Sequence, residues 1–252
     1  MSEIVTVGPV DVDAELDRLA ARYRAASGVG LQMLTLLGGQ AEGLIDKLPA
    51  AVRAGLGGAT EQALTLAMAA AQRSRSVVPE QKPWVNSAVT TAMGAAGGFG
   101  GLPTALVELP ATTTVLLRAI QDVAAEHGFD PAAENVQFDC IRVFAASGPL
   151  TVDDGADLGF LSLRLTLSGG GLHKLIAAVT PRLAAVLGQK LATQTVPVLG
   201  AVAGATANYV YTSYYQQIAH VHFGLRRLAI NGDVPHRDLV QRLTNRMQPG
   251  IG

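Results

Sequence analysis

Five side chains in this sequence are of types that act on small ligands: Glu108, Arg118, Asn208, His220 and His222. Glu108 and Arg118 are the only formal charges between Pro83 and Gln121. If the apolar residues around them form a packed interior, the two must be paired or hydrated there. A structural ion pair is the plainer role for them, and ligation of a polar head group the sharper one. Glu108, Asn208, His220 and His222 would serve a hydrolase-like or lipid-modifying reaction only if one cleft gathered them. His220 and His222 are two positions apart, which on a helix turns them about 200° from one another, so they cannot hold one metal ion together. No metal site is expected. Neither GxSxG nor HExxH occurs, and Asp153 with Asp154 reads as the acidic start of a helix rather than a magnesium site.

The elements that must position these groups read as helices. Acidic residues at Asp11, Asp13, Glu15 and Asp17, with Arg18, Arg22 and Arg24 behind them, predict a first helix over about Val12 to Ala26, ended by Gly28 and Gly30. After Leu44 to Pro49 an alanine-rich helix is expected to end near Arg75, with a loop from Ser74 to Pro83. Pro110 to His127 is amphipathic, with Val115, Leu116, Ile120, Val123 and Ala124 at helical spacing and Gly128 as C-cap. Asp130 and Pro131 then predict an N-cap and first-turn proline for a helix reaching Ala146.

Leu161 to Leu167 alternates like a half-buried strand, yet Leu158, Leu161 and Leu165 also fit a helix. The capping pattern at Thr151 to Asp154 favours the helix. Helical spacing runs from Leu172 to Thr195, with Pro181 kinking one helix or opening another. A long helix is predicted over Val198 to Ala229, and a short one over Pro235 to Met247. The predicted fold class is all-α, a single multi-helix domain with closely packed glycine-rich central helices. It comprises an N-terminal helical extension over 1–44, a main domain over 45–230, and a tail over 231–252.

Composition narrows the environment. Charged residues are 15% of the 252-residue chain, against about 25% for ordinary soluble domains, and the mean hydropathy is +0.29. A net charge of −1 and 5% aromatic residues offer neither the field nor the stacking surface for nucleic acid. Cys140 is the single cysteine, so no internal disulfide forms, which favours a reducing compartment. The first ten residues lack the pattern of a secretory signal, and a cytoplasmic chain is expected.

Two stretches carry no charge apart from their flanks, Leu191 to Leu225 and Pro83 to Val107. Both are long enough to span a bilayer, but Asn86, Thr90, Asn208, Gln216 and Gln217 dilute their hydrophobicity. Gly94 with Gly98, Gly97 with Gly101, and Gly200 with Gly204 put small residues four apart, which lets helix backbones approach closely in water or in lipid. Trp84, Tyr209, Tyr211, Tyr214 and Tyr215 suit a membrane interface or a core rim equally well. The glycine cluster fits neither phosphate-loop spacing, and no cofactor is expected.

The run Gly97 to Pro110, GGFGGLPTALVELP, continues through Thr114 to Ile120 and Ala124 to Pro131. Together with Val196 to Asn208 and Tyr215 to Leu228, it resembles the EcsC family, over most of Ile45 to Leu228. Many relatives have aspartate where Glu108 stands and tyrosine where His127 stands. The resemblance implies a mainly helical, often membrane-associated bacterial protein, and it carries across no catalytic residue and no cofactor. The expected function is a binding or accessory role near transport or envelope physiology. The expected location is cytoplasmic, peripheral at the inner face of the membrane, with membrane lipid or a membrane protein as partner. Contacts would come from Trp84, Gly97, Gly98, Gly100, Gly101, Arg118 and Arg226, and from the C-terminal arginines, five against two aspartates from Arg226 onward. The rivals are the enzyme described above and a soluble protein that binds an apolar ligand.

Overall fold

A computed structural model describes residues 10–36, 43, 45–77, 110–146, 171–193 and 200–247. Asp11 starts helix α1, Val12–Leu36, by accepting the backbone N–H groups of Asp13 and Ala14 on its carboxylate at 3.1 and 3.0 Å. The helix runs past Gly28 and Gly30, where the sequence predicts its end. Each added residue contributes a hydrogen bond, and an interior glycine costs only about 1 kcal/mol relative to alanine. A 3-10 turn at Ile45–Lys47 leads to α2, Ala50–Val77, whose Leu56, Ala63, Leu64, Ala67 and Met68 are buried.

Helix α3 occupies residues 110–126. Gly128 stops it at φ +76°, a conformation that favours glycine, as the N–H groups of Gly128 and Phe129 bond the carbonyls of Ala125 and Ala124. Asp130 does not cap the next helix. Its carboxylate accepts the Ala132 N–H at 2.9 Å in a local turn, and α4 begins later, Glu134–Phe144, with Ala133 at its N-cap and no side-chain cap.

Helix α5, Gly171–Thr193, carries Pro181 inside it as one continuous helix. The hydrogen bond lost at a proline costs about 3 kcal/mol, and buried Val179, Leu183, Ala184 and Leu187 around it supply offsetting packing. Helix α6, Gly200–Asn231, is about 48 Å long at 1.5 Å per residue. A short helix, α7, His236–Met247, follows.

The described part is all-helical, as predicted. Helix α6 is its axis. Helix α1, expected within an N-terminal extension, lies along it and buries Leu16, Leu19, Ala20, Tyr23 and Ala26 in the same core. Helices α4 and α5 pack on α6 from other sides, α2 packs on α5, and α7 sits on α1 and α6. The charge-free run therefore becomes the centre of the core, with Tyr211, Tyr215, Ile218, Ala219, Val221, Phe223 and Leu225 almost fully buried. Of its tyrosines only Tyr209 is exposed. Among the described residues one stretch, Lys174–Ala192 in α5, is long and apolar enough to cross a membrane, and 67% of it is buried by its neighbours. Residues 158–167, and with them the choice between helix and strand, lie outside the described residues.

Candidate functional site

Helix α6 sends its two histidines in different directions, as a spacing of two dictates. His222 is buried and sets Nε2 3.3 Å from the Asp139 carboxylate of α4. The same carboxylate takes Arg226 at 2.6 Å and Arg142 at 3.4 Å. Arg226 also lies over the Phe129 ring, 4.5 Å from its centroid. Burial pushes the Asp139 carboxyl up, but the His222 hydrogen bond and the charges of His222, Arg226 and Arg142 outweigh it and hold the group below its ordinary value. His236 of α7 closes this cluster, its ring 6.4 Å from that of His222. Burial first, and then the neighbouring His222 and Arg142, press it down to about 4. The cluster joins α4, α6 and the start of α7. Arg226, expected at a lipid or ligand surface, is half-buried and paired with Asp139.

His220 faces α3 instead. Its Nδ1 is 3.1 Å from Nε2 of His127, and its Nε2 is 3.9 Å from the Glu126 carboxylate. Glu126 favours the tautomer in which His220 carries its proton on Nε2 and accepts the His127 N–H on Nδ1. Burial, reinforced by Arg22 and His127, lowers His220 to about 4; burial, with Arg22 and Arg227, also lowers His127. Both imidazoles are thus neutral at neutral pH, and the guanidiniums that help depress them mark a positive potential.

That potential fills a cavity of about 310 Å³ between α1, α3 and α6. Leu19, Leu228 and Val10 form its apolar lining, the two histidines a wall, and Arg18, Arg22 and Arg227 its basic edge. Arg18 is paired with Glu15. Arg22 donates to the neutral Gln217 amide at 3.2 Å. Arg227 rests against Gly128, with Nη2 3.3 Å from where a Cβ there would be. Among the described residues neither Arg22 nor Arg227 has a carboxylate partner. Gly224 lets α1 come close, since a Cβ on it would lie 2.6 Å from Leu19 Cδ2.

The polar groups singled out from the sequence are scattered. Arg118 pairs with Asp122 one turn along α3, at 3.8 Å and with both side chains buried. Asn208 is buried, and its carbonyl accepts the Thr212 hydroxyl at 2.8 Å. It is twelve residues from His220 on one helix, about 18 Å along the axis. Among the described residues His220 and His222 diverge, and Asn208 is remote from His220. Trp84, Gly97, Gly98, Gly100, Gly101 and Glu108 lie outside the described residues. Among the described residues no group of three or more His, Cys, Asp or Glu is placed to hold a metal ion.

Sequence reasoning missed His127 and Asp139 as partners of the two histidines, because each lies about ninety positions away on another helix. One local signal was available. Glu15, Arg18 and Arg22 recur at spacings of three and four on α1, as do His220, Gly224, Arg227 and Asn231 on α6, so each helix presents one polar stripe.

Residues 78–153 match the model of the EcsC protein family. Helices α3 and α4, with His127, Arg118, Asp122 and Asp139, fall inside the match, and all of α6 falls beyond it. Comparison with curated proteins and with solved structures gives no match.

Proposed function

We propose that this chain, an EcsC-family protein by its match over residues 78–153, is a binding or accessory protein that associates reversibly with the inner face of a bacterial cell membrane, in the service of transport or envelope physiology. The observation that carries this reading is an uncharged, glycine-rich run flanked by Trp84 inside the family match. Helix α6 places most of Ala207 to Leu225, Tyr209 excepted, against the other described helices. The run from Pro83 to Val107 lies within the family match and holds Trp84 and the glycine pairs, so it is assigned the lipid contact. A binding role also accords with histidines that face separate partners instead of one reaction centre.

Flotation with vesicles of phosphatidylglycerol and phosphatidylcholine tests this. The protein should rise with the vesicles, and Trp84→Ala should weaken that association by about tenfold through loss of one interfacial aromatic. Protein that stays at the bottom of the gradient with both compositions overturns the proposal.

A further inference from the structure

We propose that the cavity between α1, α3 and α6 binds the phosphate group of a small amphipathic phosphate ester, with Arg22 and Arg227 on the phosphate, the His127–His220 pair beside it, and the organic part against Leu19 and Leu228. Three observations support it. First, two guanidiniums from different helices meet at one concavity with no carboxylate to neutralise them among the described residues, while Arg18, which does have one, sits at the edge. The one carboxylate in the lining, Glu15, is engaged by Arg18, so the cavity keeps an excess of positive charge that an anionic guest relieves. Second, the donors outnumber what a carboxylate takes up. Two guanidinium forks from different helices match the three terminal oxygens of a phosphate monoester better than the two of a carboxylate. Third, about 310 Å³ is more than inorganic phosphate fills, and the apolar lining suits a short organic stem.

The buried alternatives do not offer this chemistry. The Asp139 cluster already contains its own carboxylate against Arg226 and Arg142. The Arg118–Asp122 pair is neutral overall and closed off. This proposal uses no residue of the run Pro83 to Val107 that carries the membrane proposal, so either can fail without the other.

Hexyl phosphate, inorganic phosphate and phosphatidic acid vesicles are the probes, with hexanol and phosphatidylcholine vesicles as uncharged controls. Calorimetry and the ring resonances of His127 and His220 are the readouts. Hexyl phosphate should bind more tightly than inorganic phosphate and should shift both histidines. It should also raise the His220 titration midpoint from about 4 by roughly one pH unit or more, since an anion favours the imidazolium. The double variant Arg22→Gln/Arg227→Gln alters two exposed side chains and should keep the wild-type circular dichroism while losing about tenfold or more in affinity. Arg237→Gln, on the exposed face of α7, should bind as wild type does. Ring shifts with hexyl phosphate identify a free phosphate ester as the ligand. The same shifts with phosphatidic acid vesicles alone identify a lipid head group, and both outcomes support the site if the double variant abolishes them. Unmoved histidine resonances with every probe, or unchanged affinity in a folded double variant, overturn the proposal.

Discussion

At the scale of single residues, the histidines make the fold sensitive to acid. Burial first, then neighbouring positive groups, holds His220 and His236 at about 4 in the folded protein, whereas an unfolded imidazole titrates near ~6.5. Between those values the unfolded chain binds more protons than the folded one. This contribution is therefore complete above about pH 6.5 and is lost progressively as pH falls toward 4. Asp139 adds a second loss at lower pH. Its folded carboxyl titrates below the ordinary value, so its contribution is present above that value and disappears as pH drops through the depressed one. Urea unfolding should show a midpoint that declines from pH 7 to pH 4.5, and His220→Gln or His236→Gln should flatten that decline. A slope unchanged in both variants would assign the acid sensitivity to other groups.

At the scale of elements, the helices are placed by close contacts that leave no room for side chains at two glycines. A Cβ on Gly188 of α5 would come 2.7 Å from Leu56 Cδ2 of α2, and one on Gly224 of α6 would meet Leu19 of α1. In both cases the obstacle is the end of a flexible leucine. Gly188→Ala should accordingly be absorbed by a small leucine shift, while Gly188→Leu should destabilise by about 1–3 kcal/mol through overpacking. Thermal unfolding of the two variants separates the outcomes, and equal melting temperatures would mean that α2 and α5 are not in tight register. Propensity decided less than packing here. Gly28 and Gly30 failed to stop α1, and Pro181 failed to divide α5, because a hydrogen-bonded helix carries such residues at a cost that its neighbours offset.

At the scale of the molecule, α7 closes the bundle over α1 and α6. Leu239 and Leu243 are fully buried, and around them Arg242 reaches Asp13 at 2.7 Å, Arg246 reaches Asp17 at 2.9 Å as well as Asp13, and Arg24 donates to the Arg246 carbonyl at 3.1 Å. These arginines, candidates for anionic lipid on sequence grounds, are engaged with α1. Exposed ion pairs contribute little to stability, whereas apolar burial contributes much. Leu243→Ala should cost about 2–5 kcal/mol, and Arg242→Ala together with Arg246→Ala far less, measured by chemical denaturation at low salt. Arginine variants as damaging as Leu243→Ala would show that the ion pairs, and not the leucines, hold α7 in place.

The sequence by itself determined the all-helical class, the positions of most helices to within a few residues, the divergence of His220 from His222, and the likeness to the EcsC family. All of these follow from local periodicity, from cap residues and from runs of neighbouring side chains. Tertiary structure alone decided where the charge-free run goes, since a core helix and a membrane span satisfy the same apolar pattern until neighbours cover one of them. It also decided the partners of His220 and His222. His127 and Asp139 stand one helix pairing away from His220 and His222 in space but about ninety positions away in the chain, and no local spacing encodes a contact of that kind. The cavity arises in the same way: α1 and α6 each display a polar stripe in sequence, and only their packing together with α3 turns those stripes into a concave, positively charged site.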